Sequence, residues 1–225
     1  MIYYTSNLKE IEFKPSTKPM GQGEQGYVYK FDENRCIKTY IEEMPTFDPE
    51  MFSLFKKISL NGYSKLHELL YSDPKLQKVT AFIADYYPSD ANNILFMPTE
   101  YTLYNLDILY SSIRILSKYN IQVKDLIPKN VILGKEHITV VDYDSYKKTE
   151  KDIEELFKEN IYNLMFLFRS LYKEAFKTLG VNIEKNIVLS NYINYIFSNC
   201  DEPLKLVRKK LNKVPRPIDL LYEIC

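Results

Sequence analysis

Apolar and polar side chains alternate over Tyr27-Val28-Tyr29-Lys30-Phe31 and again over Cys36-Ile37-Lys38-Thr39-Tyr40, with the two-residue period of a half-buried strand. The residues between them, Asp32-Glu33-Asn34-Arg35, are polar and turn-forming, so the two runs predict a hairpin. Further strands are expected near Ile11 to Pro15, Val79 to Tyr87 and Asn93 to Met97. The period then changes. Leu106, Leu109, Ile113 and Leu116 recur at helical spacing in a stretch ending at Tyr119. Asp48-Pro49-Glu50 supplies an N-cap, a first-turn proline and an acidic first turn for a helix running to about Leu60. A second long helix is expected over Asp152 to Tyr172; its run Ile161 to Phe168 is apolar on most sides, which suits the centre of a folded unit. Short helices follow, with breaks at Gly180, Pro203 and Pro215-Arg216-Pro217. Strands crowd the first hundred residues and helices the rest, an α+β pattern.

Composition narrows the function. With 225 residues and 45% hydrophobic content, the chain can build one sizeable core or two smaller ones. Its formal net charge of zero gives no electrostatic reason to bind nucleic acid or a membrane surface. Three cysteines, Cys36, Cys200 and Cys225, have no paired spacing, and only His67 and His137 supply imidazole. That argues against a disulfide framework or a zinc site and for a reducing compartment. The start, Met1-Ile2-Tyr3-Tyr4-Thr5, lacks a signal-peptide pattern, and no apolar run reaches membrane-spanning length. A cytoplasmic protein, or an effector acting in a host cytosol, is expected.

Three groups of residues carry candidate chemistry. Gly21-Gln22-Gly23-Glu24-Gln25-Gly26-Tyr27-Val28 reads G-x-G-x-x-G-x-V, a glycine pattern that lets backbone N–H groups approach phosphates. A dinucleotide-binding turn would be followed by a helix; this one continues into the hairpin and leads to Lys38. Val123-Lys124-Asp125-Leu126-Ile127-Pro128-Lys129-Asn130 is followed, twelve positions on, by Asp142. Asp142 and Asn130 offer the carboxylate and amide oxygens that Mg²⁺ accepts, and Asp125 can orient an attacking hydroxyl and take its proton.

In this order the motifs resemble those of the protein-kinase superfamily: glycine-rich loop, strand lysine, HRDLxxxxN catalytic loop and DFG segment. The resemblance spans roughly residues 10 to 172. It implies a two-lobed kinase-like fold, with a small β-rich N-lobe (residues 1–104) and a reduced helical C-lobe (residues 105–225). It also implies ATP with Mg²⁺ or Mn²⁺ as cofactors and a protein substrate, here a host protein if the chain is a bacterial or viral effector. Gly21, Gly23, Gly26, Val28 and Lys38 would then meet the nucleotide. Glu100 to Leu103 would form the hinge that receives adenine, with Glu100 and Thr102 among the contacts. Glu50, or alternatively Glu68, would orient Lys38. Asp125 would handle the acceptor hydroxyl, Lys129 would neutralise charge on the transferred phosphate, and Asn130 and Asp142 would hold the metal.

The chain departs from the pattern at named positions. Val123-Lys124 stands where the family has His-Arg, Ile127 where serine/threonine kinases have lysine, and Asp144 where DFG has glycine. Between Asp144 and Asn160 there is no Ala-Pro-Glu and no long phosphorylatable loop. A minimal Ser/Thr kinase is the expectation. The alternatives are a pseudokinase or nucleotide-binding scaffold and a small-molecule kinase of the aminoglycoside or choline type.

Overall fold

The computed structural model describes residues 1–15, 18–88, 94–183, 185–197 and 209. It is a mixed α+β protein with a large antiparallel sheet and several helices, and it divides into two compact units, Met1–Pro88 and Ser89–Cys225. Among the described residues no helix is long and apolar enough to cross a membrane.

The first unit is built on seven antiparallel strands: β1 (Ile2–Thr5), β2 (Glu10–Glu12), β3 (Gly21–Gln22), β4 (Gly26–Lys30), β5 (Arg35–Tyr40), β6 (Leu66–Tyr71) and β7 (Val79–Asp85). Their order across the sheet is β2-β1-β6-β7-β5-β4-β3. Side-chain alternation divides the sheet into two apolar faces. One buries Tyr3, Phe13, Ile37, Leu70, Ala81 and Ile83. The other receives helix α1 (Pro49–Lys57), whose Met51, Phe52 and Phe55 are buried. Phe47, just ahead of that helix, meets Phe82 of β7 edge-on at a 5.5 Å centroid separation, a favoured aromatic geometry. Asp48 caps α1 as expected, accepting hydrogen bonds from the N–H groups of Glu50 and Met51.

Two elements of this unit escape the sequence pattern. The β1–β2 hairpin adds to the free side of β6. β6 itself reads Leu-His-Glu-Leu-Leu-Tyr, with helix-favouring residues and none branched at Cβ. Pairing on both sides, with β1 and β7, makes it a strand and overrides that propensity.

The second unit packs α2 (Thr99–Lys118) against α3 (Ile153–Thr178), with a shorter α4 (Ile187–Ile196) against α3. Leu106, Leu109, Ile113 and Leu116 form the buried stripe of α2, as their spacing predicts. Asp152 caps α3, which runs six residues beyond Tyr172 to Thr178; Gly180, at φ +76°, follows its end. The small strands β8 (Ile121–Gln122), β9 (Val131–Leu133), β10 (Ile138–Val140) and β11 (Lys147–Lys148) pair as β8 with β11 and β9 with β10.

Two segments ahead of and within α2 differ from the sequence expectation. The strand expected to end at Met97 is instead a single 3-10 turn, Ile94–Phe96. The hinge expected at Glu100 to Leu103 is the first turn of α2. Pro98, at φ −54°, precedes Thr99 at the position where a fixed φ starts a helix, and Glu100 places negative charge at its N-terminus. The breaks expected at Pro203 and Pro215-Arg216-Pro217 lie outside the described residues.

Candidate functional site

In the first unit the glycine motif folds as the tight β3–β4 hairpin, closed by a Gly23 N–H to Gly26 O hydrogen bond of 3.0 Å. The glycines serve different ends. A Cβ on Gly26 would lie 2.0 Å from the backbone oxygen of Thr39, so this position admits no side chain without moving β5. Gly23 opens onto free space. Register then sets one row of residues across the sheet: Gly21 opposite Val28, Val28 opposite Lys38, Lys38 opposite Phe82, and Phe82 opposite Leu69. The row places Gly21, Val28 and Lys38 on one face of three successive strands. Lys38 is only 8% exposed, with its ammonium 5.4 Å from the Tyr40 ring centre and 6.0 Å from that of Phe82. Two aromatic faces thus help hold a buried cation. Its neighbour Cys36 is no nucleophile, because burial pushes the thiol up to about 11.

In the second unit the loop between β8 and β9 brings Asp125, Asn130 and the backbone before Asp142 together. Asp125 is exposed, and its backbone adopts φ +50°, a left-handed conformation that costs most residues about 1–2 kcal/mol. Two hydrogen bonds hold that turn: the Asp125 carbonyl accepts from Ile127 N–H at 2.9 Å and from the Asn130 side-chain Nδ2 at 2.8 Å. Asn130 is 8% exposed. Since its NH₂ is spent on that carbonyl, its Oδ1 is the oxygen left to meet a cation. The Asn130 carbonyl accepts from Val141 N–H at 3.0 Å, extending the β9–β10 pairing and placing Asp142 one residue from the Asn130 backbone. An amide oxygen and a carboxylate are donor types that a hard cation takes alongside water and phosphate. Lys129 is exposed on the 3-10 turn Pro128–Asn130.

This loop is fastened from beneath by residues that the motif reading does not contain. Asn160 of α3, fully buried, accepts from Val123 N–H at 2.8 Å and donates to Ile121 O at 2.9 Å and to Ser117 Oγ at 3.0 Å. Asn163, one turn further, donates to Val123 O at 2.9 Å. Both backbone groups of Val123, two residues before Asp125, are therefore tied to one helix. The available signal was a pair of asparagines three apart at the start of an otherwise apolar run.

No protein-family model and no curated protein matches this chain.

Three expected site residues lie elsewhere than their roles require. Glu50 is exposed on the first turn of α1 and makes no ion pair among the described residues, so it does not orient Lys38. Its rival Glu68 is on β6, 3.9 Å from Lys56 of α1. α1 turns phenylalanines toward the sheet, not an acid. Glu100 is exposed and helical. Thr102 is buried; its N–H and hydroxyl both bond to Pro98 O, so its backbone is spent within the helix. The Tyr172 hydroxyl also bonds to Thr102; burial pushes that phenol up to about 12, and the Thr102 bond works in the opposite direction.

Proposed function

We infer that the chain is an ATP- and Mg²⁺-dependent phosphotransferase of kinase-like, two-lobed design, with a protein serine or threonine hydroxyl as acceptor. The observation that carries this reading is the arrangement around Asn130. Its amide locks the strained Asp125 turn, its Oδ1 is left for a cation, and its main chain brings Asp142 alongside. Mg²⁺, when bound, supplies charge neutralisation on the phosphates. Asp125 accepts the hydroxyl proton, and its exposure suits an acceptor arriving from solvent. The row Gly21, Val28 and Lys38 supports the same reading, because it joins the glycine hairpin to a buried cation on one face.

The test is a thermal melt with Mg²⁺ alone and with ATP plus Mg²⁺, on wild type and Asp142→Ala. Nucleotide at 100 times Kd adds about 2.7 kcal/mol, which for a chain of this size raises Tm by roughly 5–10 °C. The shift should shrink in the variant, and transfer should vanish. A flat melt at millimolar ATP would sink the reading.

The exposed Glu50 favours a second reading, a nucleotide-binding module that does not transfer phosphate. It predicts the same melting shift with no loss of γ-phosphate over hours.

A further inference from the structure

The faces of β8 and β11 follow from their register: Lys147 lies opposite Gln122 and Lys148 opposite Ile121. Burial alternates from β8 into the following loop, with Ile121 and Val123 buried, Gln122 half-buried and Lys124 exposed. This alternation puts Lys124, two residues past the end of the paired ladder, on the same side of the chain as Gln122. Lys147, opposite Gln122, is on that face too. Lys124 follows Gln122 by two residues, roughly 7 Å along an extended chain. Lys124 is covalently next to Asp125, and Lys129 is exposed four residues beyond it. None of Lys124, Lys129 and Lys147 makes a salt bridge among the described residues, whereas nearby Lys151 is neutralised by Glu159. Gln122 itself donates to Glu159 at 3.3 Å, and with that acid already paired to Lys151, the three ammonium groups stand against Asp125 and Asp142 and leave a small positive excess at the loop.

We propose that Lys124 and Lys147, with Lys129, are the docking surface for an acceptor peptide that carries an anionic side chain near its hydroxyl. This rests on the phosphotransferase reading and names its substrate class. An anion held between Lys124 and Lys147 lies on the order of 10 Å from Asp125, which corresponds to about three residues of extended peptide. The anion is a carboxylate or a phosphate already present on the peptide. Either is attracted to paired ammonium groups, and phosphate, with its higher charge, more strongly.

The experiment uses four labelled peptides, identical except at the third residue from a single serine: aspartate, phosphoserine, asparagine or lysine. Fluorescence anisotropy without nucleotide, at about 50 mM salt where surface charge is weakly screened, gives binding. Transfer from ATP gives KM and kcat. The aspartate and phosphoserine peptides are expected to bind at least about 10-fold more tightly than the asparagine peptide, and the ratio of the two identifies the anion. Lys147→Glu should abolish the preference and Lys147→Arg keep it. In transfer, Lys147→Glu should raise KM about 10-fold with kcat and peptide-independent ATP hydrolysis unchanged. Equal binding of all four peptides, or an acidic preference that survives Lys147→Glu, overturns the proposal and leaves the phosphotransferase reading standing. An acidic preference with no ATP hydrolysis and no transfer overturns the acceptor role and the phosphotransferase reading together.

Discussion

Asp125 joins two properties in one residue, an exposed carboxylate and a left-handed backbone, and substitution can separate them. Asparagine tolerates positive φ nearly as well as aspartate, whereas a β-branched residue does not. Asp125→Asn should therefore abolish transfer with Tm within about 2 °C of wild type, while Asp125→Val should also cost about 1–2 kcal/mol, read by urea unfolding. Gly26 and Gly23 make a second contrast. Gly26→Ala drives a methyl into Thr39 O and should cost about 1–3 kcal/mol, whereas Gly23→Ala should be close to neutral. Cys36 gives a pH dependence. Its folded value of about 11 stands above the ordinary 9.0, so below pH 9 both states hold the proton. As pH rises from 9 toward 11 the unfolded chain loses its proton first, and stability falls. Cys36→Val should flatten part of that alkaline decline in unfolding curves taken across the same range. At this scale the sequence singled out Asp125, Asn130 and Asp142 by type and spacing, and the structure ties Asn130 to the Asp125 carbonyl and to the backbone next to Asp142. Asn160 was hidden, because an asparagine in an apolar helix declares its partners only when the loop beneath is folded onto it.

Among the elements, those with unambiguous local signals formed where expected: the β4–β5 hairpin with its polar turn, the capped α1, and the apolar stripe of α2. The errors came where local signals were ambiguous. Ile94-Leu95-Phe96-Met97 is a short apolar run that suits a strand or a helical turn equally, and Pro98 decides in favour of helix. β6 depends on partners distant in sequence, as does the β1–β2 hairpin. The pairing of Glu50 with Lys38 failed for a different reason: an acidic first turn serves the helix dipole whether or not it meets a lysine. α3 supports its neighbour through Asn160, which satisfies Val123 N–H and Ile121 O in a dry setting. Asn160→Leu leaves both without partners and should cost about 2–4 kcal/mol in urea unfolding. Asn160→Asp keeps the acceptor for Val123 N–H and should fall between the two.

For the whole molecule, zero net charge and a pI near 6.8 mean that long-range repulsion between copies is weakest close to neutral pH. Light scattering should show self-association greatest near pH 7 and relieved about two units to either side. Patterning alone allocated strands to the first part of the chain and helices to the second, because each unit is assembled from elements adjacent in sequence. The Asn160 anchorage also bears on how that second unit opens. Amide protons normally trade with solvent within seconds in an exposed loop and only after unfolding in a helix core. Val123 N–H belongs to the loop by position but is bonded to the buried carboxamide of α3. It should trade with the slow protons of α3, not with those of the residues around it. The loop that carries Asp125 would then melt in the same step as the helix beneath it, so that any condition loosening α3 also releases the left-handed turn at Asp125 before the first unit unfolds.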